Sequence, residues 1–110
     1  MTPTKKVVLV TTTQAAAPIV ANRFISFDGK QAKAAAPVLG VSPRDADKGD
    51  TMGVECVGIV LVEAGGVVAA GAKVASDANG CAVAGETQAA GYAVTAATTA
   101  GDVIAVLLKG

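Results

Sequence analysis

The 110-residue chain contains no histidine and no tryptophan, and one tyrosine and two phenylalanines are its only aromatic residues. Without histidine there is no imidazole to activate a serine or cysteine, and most metal sites lose their usual ligand. Cysteine is scarce too. Cys56 and Cys81 stand far apart with no CxxC spacing, so neither a disulfide scaffold nor a redox pair is indicated. Neither sign of charge dominates: nine basic residues face nine acidic ones. A nucleic-acid binder would carry a basic stripe, so none is expected as a partner. No apolar run approaches the roughly 20 residues that span a bilayer, so no membrane association is expected. The N-terminal MTPTKKVVLVTTTQAAAP carries two lysines and then only VVLV before threonines intervene. A secretory signal needs an apolar stretch of about 7–15 residues, so synthesis in the cytoplasm without a cleaved leader is expected. P-loop, GxSxG and GxGxxG motifs are all missing, which leaves nucleotide and hydrolase chemistry without a foothold.

What remains is small and apolar. The chain holds 24 Ala, 17 Val and 13 Gly against 5 Leu and 4 Ile. Its length suits one domain. Burying a Leu or Phe contributes about 1.5–3 kcal/mol and an alanine methyl far less, so the core is expected to be valine-rich and shallow. Short β-rich runs recur between turn signals: residues 5–13, 23–29, 37–42, 51–65, 72–85 and 101–110. This spacing predicts an all-β fold, a small compact barrel or sandwich with at most one or two short helices. The two helical candidates are 13–23, broken by Pro18, and 84–94, which has one or two turns before Gly91. Residues 1–24 form an N-terminal arm or first strand, and residues 25–110 the β-rich domain.

The turns are marked by residue type. Asp28-Gly29 and Asn79-Gly80 are hairpin signals, and Gly49-Asp50 and Gly101-Asp102 pair a permissive backbone with a carboxylate that bonds nearby amides. The last two belong to a faint internal echo. LGVSPRDADKGDTMGVECV and AGYAVTAATTAGDVIAVLL each read glycine, β-residues, a loop, Gly-Asp and a valine-rich strand. Two copies of such a unit fit a motif repeated within one barrel; a solenoid needs more.

Candidate chemistry is thin. Alternation in GVECVGIVLV places Cys56 on a face with Val54 as a buried, inert thiol, and Cys81, after its Asn-Gly turn, is the more accessible of the two. Arg44, Asp45, Asp47, Lys48 and Asp50 form the one dense charge group. Alternating aspartates with a glycine suggest a calcium loop, but twelve positions on from Asp45 stands Cys56 where such a loop has glutamate. A solvated loop is the expectation, with no catalytic residue, metal or cofactor. Lipoyl and biotinyl carrier barrels have similar Gly-Asp-Val-Ile strands, yet Met52 has no adjacent lysine and Lys73 sits in GAKVAS, away from acidic or methionine neighbours. A small carrier or adaptor barrel within a larger complex is the alternative reading.

The order of these features resembles the small capsid decoration, or cement, proteins of tailed double-stranded DNA phages. The positions that carry the resemblance are Gly71, Val74, Asp77 and Gly80, then Gly91, Ala93, Ala97, Gly101 and Asp102, within residues 25–110. The segment SPRDADKGD is more charged than that family's pattern. The resemblance implies a non-enzymatic β-rich subunit that joins the outside of the expanded head as a homotrimer and bridges subunits of the major capsid protein. Within that reading the capsid contact falls on Lys5, Lys6, Val7, Val8, Leu9 and Val10, a run suited to adding a strand to a neighbouring edge.

Overall fold

The valine and threonine runs become strands. The computed structural model describes residues 5–108 and places eight strands in one sheet, with no helix among the described residues. In chain order they are β1 (Lys6–Gln14), β2 (Arg23–Ile25), β3 (Gly40–Ser42), β4 (Thr51–Glu63), β5 (Lys73–Ser76), β6 (Ala82–Ala84), β7 (Gly91–Ala93) and β8 (Val103–Leu108). The order across the sheet is β2-β3-β4-β8-β7-β5-β6, and β1 pairs with β4. The sheet curls into a nearly closed barrel. The Phe24 N–H donates to the Gly80 carbonyl at 2.7 Å, tying β2 at one end of that order to the β5–β6 turn at the other.

Both helical candidates are strand and turn instead. In 13–23, β1 ends at Gln14, and Ile19 then exchanges two backbone hydrogen bonds with Ala46, at 2.8 and 3.0 Å. Alanine's helix preference is a few tenths of a kcal/mol per residue and yields to such pairing. In 84–94, Gly91–Ala93 is strand β7, held between β5 and β8.

The internal echo proves to be half of a structural repeat. Ala15 donates its N–H to the Asp50 carbonyl at 2.8 Å and accepts from the Gly49 N–H at 2.7 Å. Ala64 does the same with Asp102 and Gly101, at 2.7 and 2.8 Å. The doubly bonded pair Ile19–Ala46 recurs as Val68–Ala97, and Leu39 N–H to Ile25 C=O recurs as Ala90 to Val74, both at 2.8 Å. Asn22, at φ 62°, bonds Ser42 as Gly71, at φ 84°, bonds Ala93. Strand registers agree as well: Gln14↔Thr51 and Thr13↔Met52 in β1–β4 match Glu63↔Val103 and Val62↔Ile104 in β4–β8. The first unit is thus β1, β2, β3 and the first half of β4. The second is the rest of β4, then β5, β7 and β8.

The core divides along the same line. Ala15, Ile19, Ile25, Met52 and Val54 form the smaller cluster. Their counterparts Ala64, Val68, Val74, Ile104 and Val106 belong to the larger one, together with Phe24, Val41, Val60 and Val62. Along β4 the even-numbered Met52, Val54, Val60 and Val62 are buried in the period-2 alternation of a strand with one face inward. Between the halves, Gly58 lies opposite both Val7 of β1 and Leu108 of β8. The register of β1 shifts there, and Gly58 has φ 118°. A β-carbon on it would collide with the Lys6 carbonyl oxygen.

Two matched glycines test the repeat. A β-carbon at Gly40 would overlap the Glu55 carbonyl oxygen, and one at Gly91 the Leu107 carbonyl oxygen, whereas Gly66 has open space around it. Gly40→Ala and Gly91→Ala should each lose roughly 1–3 kcal/mol in urea melts, and Gly66→Ala close to nothing. Because β1 and β8 meet opposite Gly58, a circular permutant that joins the termini and opens the chain at Gly58 should also fold. Its far-ultraviolet circular dichroism should match the parent; a disordered spectrum would refute the equivalence of the two halves.

Candidate functional site

With no ligand-like cluster to build on, the site is sought where apolar side chains remain in water. Among the described residues no group of three or more metal-ligating side chains comes together. Three consecutive exposed apolar residues lie on β1, Val8 at 75%, Leu9 at 53% and Val10 at 54%, whereas Val20, Phe27, Val67, Tyr92 and Val103 stand singly elsewhere. The cause is topological. β1 pairs with β4 alone, so its outer edge has no strand beside it. The register shifts between Val7 and Leu9 and again between Leu9 and Val10, which leaves Val8 of β1 and Cys56 of β4 without partners in the ladder.

Each residue of the expected contact run has a distinct setting. Lys5 is pinned: its Nζ lies 2.9 Å from Oε2 of Glu55, a carboxylate largely buried in the middle of β4. Lys6 is exposed, and Val7 packs against the larger core cluster. Val8, Leu9 and Val10 face solvent. Beside them runs a groove of about 410 Å³, lined by Leu9, Thr11, Phe27, Val38, Leu39, Cys56, Val57, Ala90 and Leu108. Phe27, on the hairpin after β2, is 68% exposed at its rim. The sequence reading missed this groove because its walls come from six separate stretches of chain. The one local signal was the unpaired Phe27 before Asp28-Gly29.

The turn residues lie elsewhere. Gly29, Gly49, Gly80 and Gly101 all have positive φ, between 82° and 95°. Ser26 donates its hydroxyl to the Asp28 carboxylate, and the Lys30 N–H reaches the same oxygen at 3.2 Å. The Ser26 hydroxyl is the main reason that the Asp28 pKa lies below its ordinary value. In the second hairpin Asp77 performs this role, accepting from the N–H groups of Asn79 and Cys81 at 2.8 and 2.9 Å, while the Asn79 carbonyl accepts from Arg23 and Gln31. Asp50 accepts from the Asp47 N–H at 3.0 Å, and Asp45 from the Ala21 N–H at 2.7 Å. The carboxylates of the dense charge group thus tie down their own loop and its neighbour.

The two cysteines reverse the expected order of access. Cys81 is buried, and its thiol pKa is pushed up, first by burial and then by the Asp77 charge. Its backbone is drawn in by Asp77, which an Asn-Gly turn read alone does not reveal. Cys56 is only half-buried, in the groove wall, because β1 leaves that side of β4 partly open.

A family model described as phage cement protein matches residues 2–108, including the first residues, to which the sequence resemblance did not extend. Among solved structures, the N base of the head fiber gp8.5 of bacteriophage phi29 has a similar fold, with a TM-score of 0.75 over 92% of this chain and 93% of that one. The two are 22% identical in sequence. No curated protein matches the sequence.

The Gly-Asp turn before β8 gives a pH test. Asp102 accepts from the Thr98 N–H at 2.9 Å, the Thr98 hydroxyl at 3.1 Å and the Thr99 N–H at 3.3 Å. These bonds, that of the Thr98 N–H first, lower its pKa below the ordinary 3.8. A depressed carboxylate stabilises the fold above its unfolded pKa and stops doing so as pH falls through the folded one. Asp102→Ala should therefore melt below the parent at pH 7, and the gap should narrow as the solution is taken below pH 4. A gap independent of pH would show that the carboxylate charge is not what holds the turn.

Proposed function

The chain belongs to the phage cement protein family, and on that premise we propose that it binds the major capsid protein lattice of the expanded head and stabilises it against internal DNA pressure. Membership places it in the virion, on the outside of the head. In this reading it acts as a homotrimer, bridges neighbouring capsid subunits and performs no chemistry.

The observation that carries the reading is β1, a strand with a free edge and three exposed large apolar residues in a row. An exposed, unpaired edge is a template for pairing with another chain, and soluble proteins usually blunt such edges. Here Lys5 is drawn aside to Glu55, so the apolar run stays uncovered. Burying it on a partner contributes about 25 cal/mol for each Å² of apolar surface removed from water. A subunit that binds the expanded lattice and not its precursor shifts the equilibrium toward the expanded form by mass action. Repeated over the shell, modest contacts sum to a large resistance.

The contact residues Lys5, Lys6, Val7, Val8, Leu9 and Val10 divide in this reading. Val8, Leu9 and Val10 supply apolar contact, Lys6 a free charge, and Val7 and Lys5 hold the strand to the barrel. Substitution tests this better than truncation, because removing β1 would uncover β4. The double variant Val8→Asp/Val10→Asp should sediment with expanded heads at least tenfold more weakly, a loss of about 1.4 kcal/mol. Its solution mass and melting temperature should stay near the parent's. Undiminished decoration by a folded variant would remove β1 from the interface.

A further inference from the structure

The first strands of the two units are covered differently along their outer edges. On the second half of β4, Glu63 donates its backbone N–H to the Asn22 carbonyl at 2.9 Å, and its carboxylate meets the Arg23 guanidinium at 3.3 Å. The start of β2 therefore lies along that strand. The counterpart of Glu63 in the first unit is Gln14, as the pairs Gln14↔Thr51 and Glu63↔Val103 establish. Beside Gln14 lies the turn after β2 instead: Gly29 packs against the Gln14 carbonyl, and its own carbonyl accepts from the Ala16 N–H at 3.0 Å. From that turn back to Lys6, among the described residues, no strand other than β4 pairs with β1, and its outer edge is open.

The groove adjoins this open edge at Leu9 and Thr11. Its walls combine equivalent positions of both units, Leu39 with Ala90 and Cys56 with Leu108, and Leu9 contributes from β1. It is the apolar seam between the two units, with Phe27 at its rim and the strand edge alongside. Backbone groups that await a strand, next to a pocket for side chains, are the two parts of a β-addition site: the first gives affinity and the second gives specificity.

We infer that this seam receives an extended segment of the major capsid protein, which pairs along the outer edge of β1 and sets a large apolar side chain into the groove. The inference rests on the decoration reading above and adds the form of the partner to it. A second copy of this chain fits less well. The edge strand β6 offers alanine, valine and alanine, too small for a space of about 410 Å³. The β1 strand of another copy already commits Leu9 to its own groove. Exposed Lys6 at one end of β1 favours a segment with an acidic residue beside the apolar one.

Cys56 reports on the site directly, because its half-buried thiol lines the groove while Cys81 is buried elsewhere and serves as a reference. The full chain, free and bound to expanded heads, is treated with N-ethylmaleimide, and each cysteine is followed by peptide mass spectrometry. Cys56 should be alkylated in the free protein and at least tenfold more slowly on the head, with Cys81 slow in both. Bound protein whose Cys56 reacts at the free rate would overturn the groove while leaving decoration intact. Protection already present in the free protein and lost on dilution would give the groove to a second copy, and a thiol inert even when diluted would show it closed; either overturns the inference. Failure to join heads at all would overturn the decoration reading and this inference with it.

Discussion

Strand β4 is the constraint on which the rest depends. Its first half closes one β-unit and its second half opens the next, so a single run from Thr51 to Glu63 serves both. Its buried even-numbered side chains reach into both core clusters. Its two halves take β1 and β8 as partners, and these meet opposite Gly58, where a side chain would not fit. If β4 were cut at Gly58 with β8 and β1 left unjoined, each unit would be a small hairpin assembly with too little apolar surface to fold alone. Sharing the strand joins the two shallow cores into one globule.

The composition follows from that arrangement. With valine, alanine and isoleucine as the main core residues, stability depends on close approach of the backbone rather than on large side chains. Gly40 and Gly91 lie against carbonyl groups of β4 and β8, where even a methyl group would overlap. The same economy explains why the charged residues serve local purposes. Asp28, Asp50, Asp77 and Asp102 each bond amides of their own turns. Loops tied in this way present a defined surface without large residues.

The departure from the repeat is where the surface becomes useful. In the second unit the inward face of the first strand is fully buried, with Val60 and Val62 at 0% exposure. In the first unit the equivalent positions are Thr11 and Thr13, and no strand lies along the outer edge. Threonine keeps the strand conformation while tolerating water. The valines and leucine before it do not favour water, and their exposure sets β1 apart as a surface made for a partner.

Much of this was legible in the residues themselves. Period-2 alternation in 51–63, the Val/Ile/Thr runs and the Asp-Gly and Asn-Gly pairs determined an all-β chain with turns at Gly29 and Gly80, because these signals act over a few neighbouring residues. The two Gly-Asp steps disclosed half of the repeat, since the loop before each final strand has similar chemistry. Other features were decided only in three dimensions. Strand β7 has just glycine, tyrosine and alanine, and is a strand because β5 and β8 flank it. The first half of the repeat was hidden because Asn22 and Gly71 adopt the same backbone turn with different side chains. Cys56 and Cys81 exchanged their expected exposure, because burial depends on which strand covers which edge. Apart from Phe27 the groove has no local sequence signature, since it unites residues from Leu9 to Leu108. The sequence by itself determined strands and turns, whose causes are local; the tertiary structure decided which edge was left open, because an unfilled edge is a property of the whole sheet.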